Sequence, residues 1–268
     1  MSRFDSQRII LTGGAGGMGK LLAKSLSERG ARLVLVDINQ EALDAVCDEI
    51  NATGGQAHGI VADLSTREGC DAVVSGAIKA NGGIDTLINL AGLMSFRAFE
   101  DEPPEHLETL IRVNLIAPMM LTREVLPHLL AEESGHIVNV GSIFGSIAFA
   151  YFASYSASKF GLRGFSEALR RELADTGVEV TFIAPRAVRT PINTGPIMRM
   201  NEATGTNMDD PEDVVRRIVA AIEGRRKDVY LGWPESLFVR INAILPRIVD
   251  KALAAQNRIA RRFAKGEE

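Results

Sequence analysis

The chain has 268 residues, 46% hydrophobic and 24% charged, with a net charge of −4, which suits one large core in a single α/β domain. The acidic balance argues against nucleic acid as a partner. The two cysteines, Cys47 and Cys70, form neither a metal-ligand nor a disulfide pattern and read as small core residues, and with no signal-peptide pattern and no apolar run long enough to span a bilayer the expected location is cytoplasmic.

Arg8–Thr12 is an apolar strand that runs into Gly13-Gly-Ala-Gly-Gly-Met18-Gly19, and residues 20–29 then show helical spacing through Leu21, Leu22, Ser25 and Leu26. Strand, glycine turn and helix together suit a pyrophosphate: Gly13, Gly17 and Gly19 let the backbone turn tightly and approach the phosphates, which rest on the helix N-terminus. Arg32–Asp37 is a second strand ending in an acid eighteen residues after Gly19, the expected spacing for a carboxylate on the adenosine ribose. Asp37 repels a 2′-phosphate, and positions 14, 15, 38 and 39 (Gly, Ala, Ile38, Asn) bring no cation, which favours NAD over NADP. Asp37 can also cap the helix that begins near Gln40.

Residues 40–53 form an amphipathic helix, 56–62 a third strand and 66–81 a further helix stopped by Gly82-Gly83. Asp63 and Leu64 follow the third strand, so Asp63 is placed to approach the adenine edge or to cap the helix from Thr66. Thr86–Asn89 is a buried fourth strand followed by Leu90, Ala91 and Gly92, small enough for a cofactor to pass close to the backbone. A loop with Met94, Phe96 and Phe99 leads to one long predicted helix over 103–130, with Asn114 inside it as either a satisfied interior group or part of a site. Residues 135–141 form the fifth strand and end at Ser142.

The next helix, predicted to run to about Thr176, carries Tyr155 and Lys159, which at i and i+4 share a face. A free Tyr titrates near pH 10, and lowering it by about 3 units needs roughly 4 kcal/mol. One positive charge at about 4 Å supplies that much at an effective dielectric of about 20. Lys159 is therefore expected to make Tyr155 a usable proton donor or acceptor, with the Ser142 hydroxyl at a strand end within reach of the same reacting atom. Residues 179–184 are the sixth strand, followed by Pro185, Arg186, Val188 and Thr190; 211–223 is a helix and 228–230 a short last strand. Six alternations of strand and helix predict a doubly wound, mostly parallel sheet of about seven strands with helices on both faces, and ligands beyond the C-terminal strand ends.

These residues resemble the short-chain dehydrogenase/reductase family over roughly residues 6–190. Thr12-Gly13-xxx-Gly17-x-Gly19 looks like its cofactor turn, Asn89-Leu-Ala-Gly92 like its strand-four signature and Tyr155-xxx-Lys159 like its catalytic pair, with Asn114 and Ser142 completing its tetrad. The resemblance implies hydride transfer between a nicotinamide and a carbinol or carbonyl carbon. It implies that Tyr155 exchanges the proton, Ser142 bonds the substrate oxygen, Lys159 lowers the phenol pKa and holds the nicotinamide ribose, Asn114 holds a water linking Lys159 to solvent, and Thr190 contacts the nicotinamide amide. The chain departs from the pattern at Leu90, where the family often has Asn, and at Arg186, where it usually has Gly. Arg186 is expected either to swing to solvent or to touch an acidic substrate group.

Residues 1–235 are expected to be the dinucleotide-binding domain, with a mobile substrate lid at 191–210 and an amphipathic basic helical extension over 236–268. Met94, Phe96, Phe144, Tyr151 and Arg186 are candidate substrate-pocket residues, and with Phe149 and Phe152 they point to an apolar alcohol or ketone. The extension has seven Lys/Arg and three Asp/Glu, a net +4 that leaves −8 for the remainder, and Pro246 is expected to kink it. It can pack in a homodimer or homotetramer, close over the pocket or lie on a membrane surface. The histidines, His58, His106, His128 and His136, are expected at the surface or in caps, not as metal ligands. A non-catalytic dinucleotide-binding scaffold and a reductase of carrier-bound acyl groups are the rival readings; the second usually needs NADPH and a basic docking patch.

Overall fold

The central strands are largely apolar and buried, as parallel strands covered on both faces are, while the two edge strands are more polar and exposed. The computed structural model describes residues 3–193 and 195–267. Among these, seven parallel strands form one sheet: β1 (Arg8–Thr12), β2 (Arg32–Asp37), β3 (Gln56–Val61), β4 (Thr86–Asn89), β5 (Gly135–Val140), β6 (Val178–Ala184) and β7 (Asp228–Tyr230), in the order β3-β2-β1-β4-β5-β6-β7. Alternate residues serve opposite faces. Ile9, Leu11, Leu33 and Leu35 meet helices α1 (Gly17–Ser27), α2 (Gln40–Ala52) and α8 (Pro211–Glu223) on one side. Ile10, Val34 and Val36 meet α3 (Arg67–Asn81) and α5 (Ala117–Ala131) on the other.

The strand order reverses between β1 and β4. Connections leaving these two strands diverge to opposite faces and open a crevice at the carboxyl edge. The predicted long helix over 103–130 is three pieces in one rod: α4 (Pro104–Ile111), a π-helical turn at Arg112–Ile116, and α5. The Tyr155 helix, α6 (Ala153–Glu172), stops four residues short of the expected end.

The expected lid contains a helix, α7 (Gly195–Ala203); Thr194 lies outside the described residues. Past β7, α9 (Glu235–Ile244) and α10 (Pro246–Ala264) meet at Leu245, so Pro246 opens a new helix as its ring geometry favours. α10 returns across the molecule, packs near α7 and ties Lys265 to Glu100 at 2.8 Å. Its turn with α9 leaves Ile244, Leu245 and Ile248 exposed. Among the described residues no helix is long and apolar enough to cross a membrane, and no group of three or more His, Cys, Asp or Glu is placed to hold a metal. Cys47 and Cys70 are buried and free, their thiols pushed up to about 11 chiefly by burial.

One histidine corrects the sequence expectation. His136 is buried within β5, its Nε2 2.8 Å from Thr181 Oγ1 on β6. Burial first, then Arg225 and Arg3, push its pKa down to about 3.

Candidate active site

The glycines after β1 are demanded by crowding. Gly13 has φ +70°, and a Cβ on it would stand 2.9 Å from Ala91 Cα in the loop after β4. A Cβ on Gly17 would stand 2.9 Å from Pro191 Cδ, and one on Gly19 would collide with the Gly13 carbonyl. Thr12 ties the two loops together, its Oγ1 accepting from the backbone N–H of Leu90 and of Ala91, each at 3.1 Å. α1 has Gly16 at its N-cap, with neither a side-chain cap nor an acid in its first turn, whereas α2, α3 and α8 are capped by Asn39, Thr66 and Asp210. An uncapped helix start on a glycine turn presents bare N–H groups and suits an anion.

A cavity of about 640 Å³ opens in front of that helix end, with Gly13, Gly17, Met18 and Gly19 on one wall and Asp37, Ile38, Asp63, Leu64, Ala91 and Gly92 on the others. Asp37 sits at its mouth. Its carboxylate accepts from Ala15 N at 3.1 Å, Ile38 N at 2.9 Å and Asn39 N at 3.2 Å, and two oxygens still have room for a further donor. The helix-capping alternatives fall to neighbours: Asn39 caps α2 and Thr66 caps α3, while Asp63 accepts from Ser65 N at 2.9 Å. The residues present therefore fit an extended dinucleotide: bare N–H groups at one end, a carboxylate and an exposed Ile38 at the other.

An adjoining cavity of about 110 Å³ holds Ser142, Tyr155 and Lys159, with Pro185, Val188 and Thr190 opposite. Ser142 closes β5 in extended geometry and accepts from Phe144 N at 3.1 Å, and it also bonds the Tyr155 phenol. Lys159 Nζ lies over the Tyr155 ring, 5.8 Å from its centroid, and donates to the Val140 carbonyl at 3.3 Å. Asn114 is wholly buried on the π-turn. Its Oδ1 accepts from Leu93 N at 2.7 Å, and its Nδ2 donates to Leu93 O at 2.9 Å and to Ser158 Oγ at 3.0 Å. A Cβ at Gly92 would come within 3.2 Å of Asn114 Oδ1 and 3.5 Å of Lys159 Nζ, so Gly92 keeps the gap between these groups open.

Proton affinities in this pocket correct the sequence expectation. Burial pushes Tyr155 up to about 12, opposed only by the Ser142 hydrogen bond, and burial pushes Lys159 down to about 8. Desolvation disfavours the charged form of both groups. Burial is the leading cause at Tyr155 and the whole cause at Lys159, whose ammonium lies over the face of the Tyr155 ring.

A family profile described as short chain dehydrogenase matches residues 7–197. The chain is a short-chain dehydrogenase/reductase. Relatives of this short-chain dehydrogenase/reductase include the ketoacyl reductase HetN of Nostoc, 31% identical over 94% of this chain and 89% of that one. Another is the 2,5-dichloro-2,5-cyclohexadiene-1,4-diol dehydrogenase LinX of Sphingobium indicum, 35% identical over 71% of this chain and 76% of that one. Among solved structures, a metagenomic short-chain oxidoreductase in complex with NADP is 33% identical, with TM-score 0.73, covering 86% of this chain and 98% of that one. A short-chain dehydrogenase/reductase from Burkholderia phymatum in complex with NAD has TM-score 0.85 at 22% identity, covering 93% and 97%, and shares the fold.

Several candidate residues of this short-chain dehydrogenase/reductase lie elsewhere than expected. Asn89 does not line either cavity; it is buried and donates to Asn139 Oδ1 at 2.8 Å, and Asn139 donates on to Ser166 Oγ at 2.9 Å. Phe96 stacks on Phe152 with centroids 4.7 Å apart, and Tyr151 turns at φ +69° to accept Arg97 N at 2.9 Å; both back the pocket rather than line it. Met94 and Phe144 do line it. Arg186 also lines it, and its guanidinium is held by protein carboxylates instead of swinging to solvent. It donates to Asp209 at 2.6 and 2.9 Å and to Glu235 at 2.9 Å. Spacing within local motifs did not reveal Leu90, Ile192, Asn193, Ile197 and Asn201 on the wall of the Tyr155 cavity, nor Ser158 behind Asn114. The lid helix places Ile197 and Asn201 there, one turn apart, a helical face legible only once that segment is known to be helical.

Proposed function

We propose that this short-chain dehydrogenase/reductase interconverts an apolar secondary alcohol and its ketone with NAD. The observation that carries the proposal is one cavity wall holding Ser142, Tyr155 and Lys159 beside the glycine-lined crevice. A bound nicotinamide supplies the carbon that takes or gives the hydride. Gly13, Gly17, Met18 and Gly19 would hold the pyrophosphate, Asp37 and Ile38 the adenosine ribose, and Asp63, Leu64, Ala91 and Gly92 the adenine side and the bridge. Pro185, Val188 and Thr190 would border the nicotinamide.

In oxidation the carbinol carbon loses its hydride while its hydroxyl proton passes to Tyr155; reduction returns both. Ser142 holds the same oxygen. Tyr155 at about 12 is a poor proton acceptor by itself, so the positive charge of Lys159 is needed when the phenolate forms. Asn114 would keep Leu93 fixed and the passage toward Lys159 polar.

NAD is favoured because Asp37 faces the crevice and Gly14, Ala15, Ile38 and Asn39 bring no cation. LinX, a dehydrogenase of a cyclic diol, supports chemistry on a carbinol. The scaffold reading loses one of its two motives, since Arg186 is neutralised by two carboxylates instead of blocking the site. Steady-state assays over secondary alcohols and ketones with each dinucleotide test the proposal. Expected are NAD-linked turnover and, in Asp37→Ser, at least a tenfold loss of the NAD-over-NADP ratio in kcat/KM, about 1.4 kcal/mol. Wild-type preference for NADP, or no turnover with either, would contradict it.

A further inference from the structure

A third cavity, of about 320 Å³, adjoins the Tyr155 cavity and shares Phe144, Phe152, Arg186, Ala187 and Asn201 with it. Its far wall is built by chain outside the family match at 7–197: Met200 on α7, Phe238 on α9, and Leu253 and Ala260 on α10. Phe144 stacks on Phe149 at 4.5 Å and meets Phe152 edge-on at 4.9 Å, so an aromatic cluster lines one side of the junction through which the two cavities adjoin. The size falls within the range of small-molecule pockets, about 300–1,000 Å³.

Charge narrows what can enter. Arg186 lies at the junction, but Asp209 takes its Nε and one terminal nitrogen, and Glu235 and the Trp233 carbonyl take the other. One guanidinium between two carboxylates leaves the trio at −1, so the junction offers no spare cation to an anionic ligand and repels it. The remaining polar groups of the chamber, among them Asn207, Gln256 and Asn257, are uncharged.

We propose that this chamber is the subsite for the elongated, uncharged apolar part of the substrate, whose carbonyl or carbinol lies at Tyr155. The proposal rests on the reading of Tyr155 as the reacting centre and adds what the rest of the substrate must be. The tail helices then act as the specificity wall, and an acidic group at the far end of the substrate is excluded.

Displacement of the neutral fluorophore N-phenyl-1-naphthylamine from the wild-type chain, with NAD present, tests this without requiring turnover. Affinity is expected to rise by up to about fourfold per methylene from 2-butanone to 2-nonanone, and 8-oxononanoate is expected to bind at least tenfold more weakly than 2-nonanone. Gln256→Trp, at an exposed position of α10 that lines the chamber, should shorten the favoured chain; Phe238→Ala, at a half-exposed position of α9, should lengthen it. Both should leave NAD affinity and 2-butanone kinetics unchanged. A flat chain-length series, equal binding of the carboxylate, or both variants keeping the wild-type series would overturn the subsite. A normal chain-length series together with no turnover of any ketone would leave the subsite standing and defeat the reading of Tyr155.

Discussion

Lys159 is buried over the Tyr155 ring, and loss of hydration brings its ammonium down to about 8. Below that pH it carries the charge that stabilises a forming phenolate; above it the charge is lost. Ketone reduction, in which Tyr155 gives up its proton, is therefore expected to fall as pH rises through about 8. In Lys159→Arg the guanidinium stays charged, so a lower but flatter profile is expected, and a fall at the same pH in both proteins would contradict this role. His136 gives a separate test of folding. Its folded pKa is about 3 against an ordinary 6.5, so the unfolded chain binds the extra proton between those values and stability rises with pH across that window. From pH 7 to pH 5 the loss from this group is about 2 kcal/mol. Urea midpoints across that range should converge when His136 is replaced by Gln, which keeps a hydrogen-bonding group for Thr181 and does not titrate.

At the scale of elements, the π-turn Arg112–Ile116 matters most, because it carries the buried Asn114 behind the crevice wall, where it bonds both backbone groups of Leu93. Wide turns of this kind recur at functional sites. Asn114→Ala strips partners from two part-buried backbone groups of Leu93 and is expected to cost about 1–3 kcal/mol in urea unfolding while also weakening dinucleotide binding; an unchanged midpoint would show that the loop is held otherwise. The helix itself was legible from Pro103-Pro104, but the π-turn was not, since the partners Asn114 bonds from it, Leu93 and Ser158, are distant in sequence. Asn89 shows the same limit. Its strand-end position was readable, whereas its partner Asn139 lies fifty residues away on β5, and only the sheet register pairs them.

Over the whole molecule, the parallel order β3-β2-β1-β4-β5-β6-β7 brings the glycine turn, Asp37, Asp63, Ala91 and Ser142 to one edge. Each of these was legible because each follows a segment readable as a strand, and a doubly wound sheet places all such ends together. Arg186 was legible as a pocket residue, but its partners were not, because Asp209 and Glu235 lie 23 and 49 residues along the chain and no local pattern pairs them with it. The tail was legible as amphipathic helix, with closure over the pocket among its possible roles, but nothing local chose that role or said which of its residues line the third cavity. The most direct measurement is titration of Tyr155→Phe with NAD alongside steady-state turnover. Phe keeps the ring over which Lys159 lies and removes only the phenolic oxygen, so NAD affinity is expected within about twofold of wild type while kcat falls by about 10²–10⁴. Turnover close to wild type in a variant that still binds NAD would contradict the assignment of proton transfer to Tyr155.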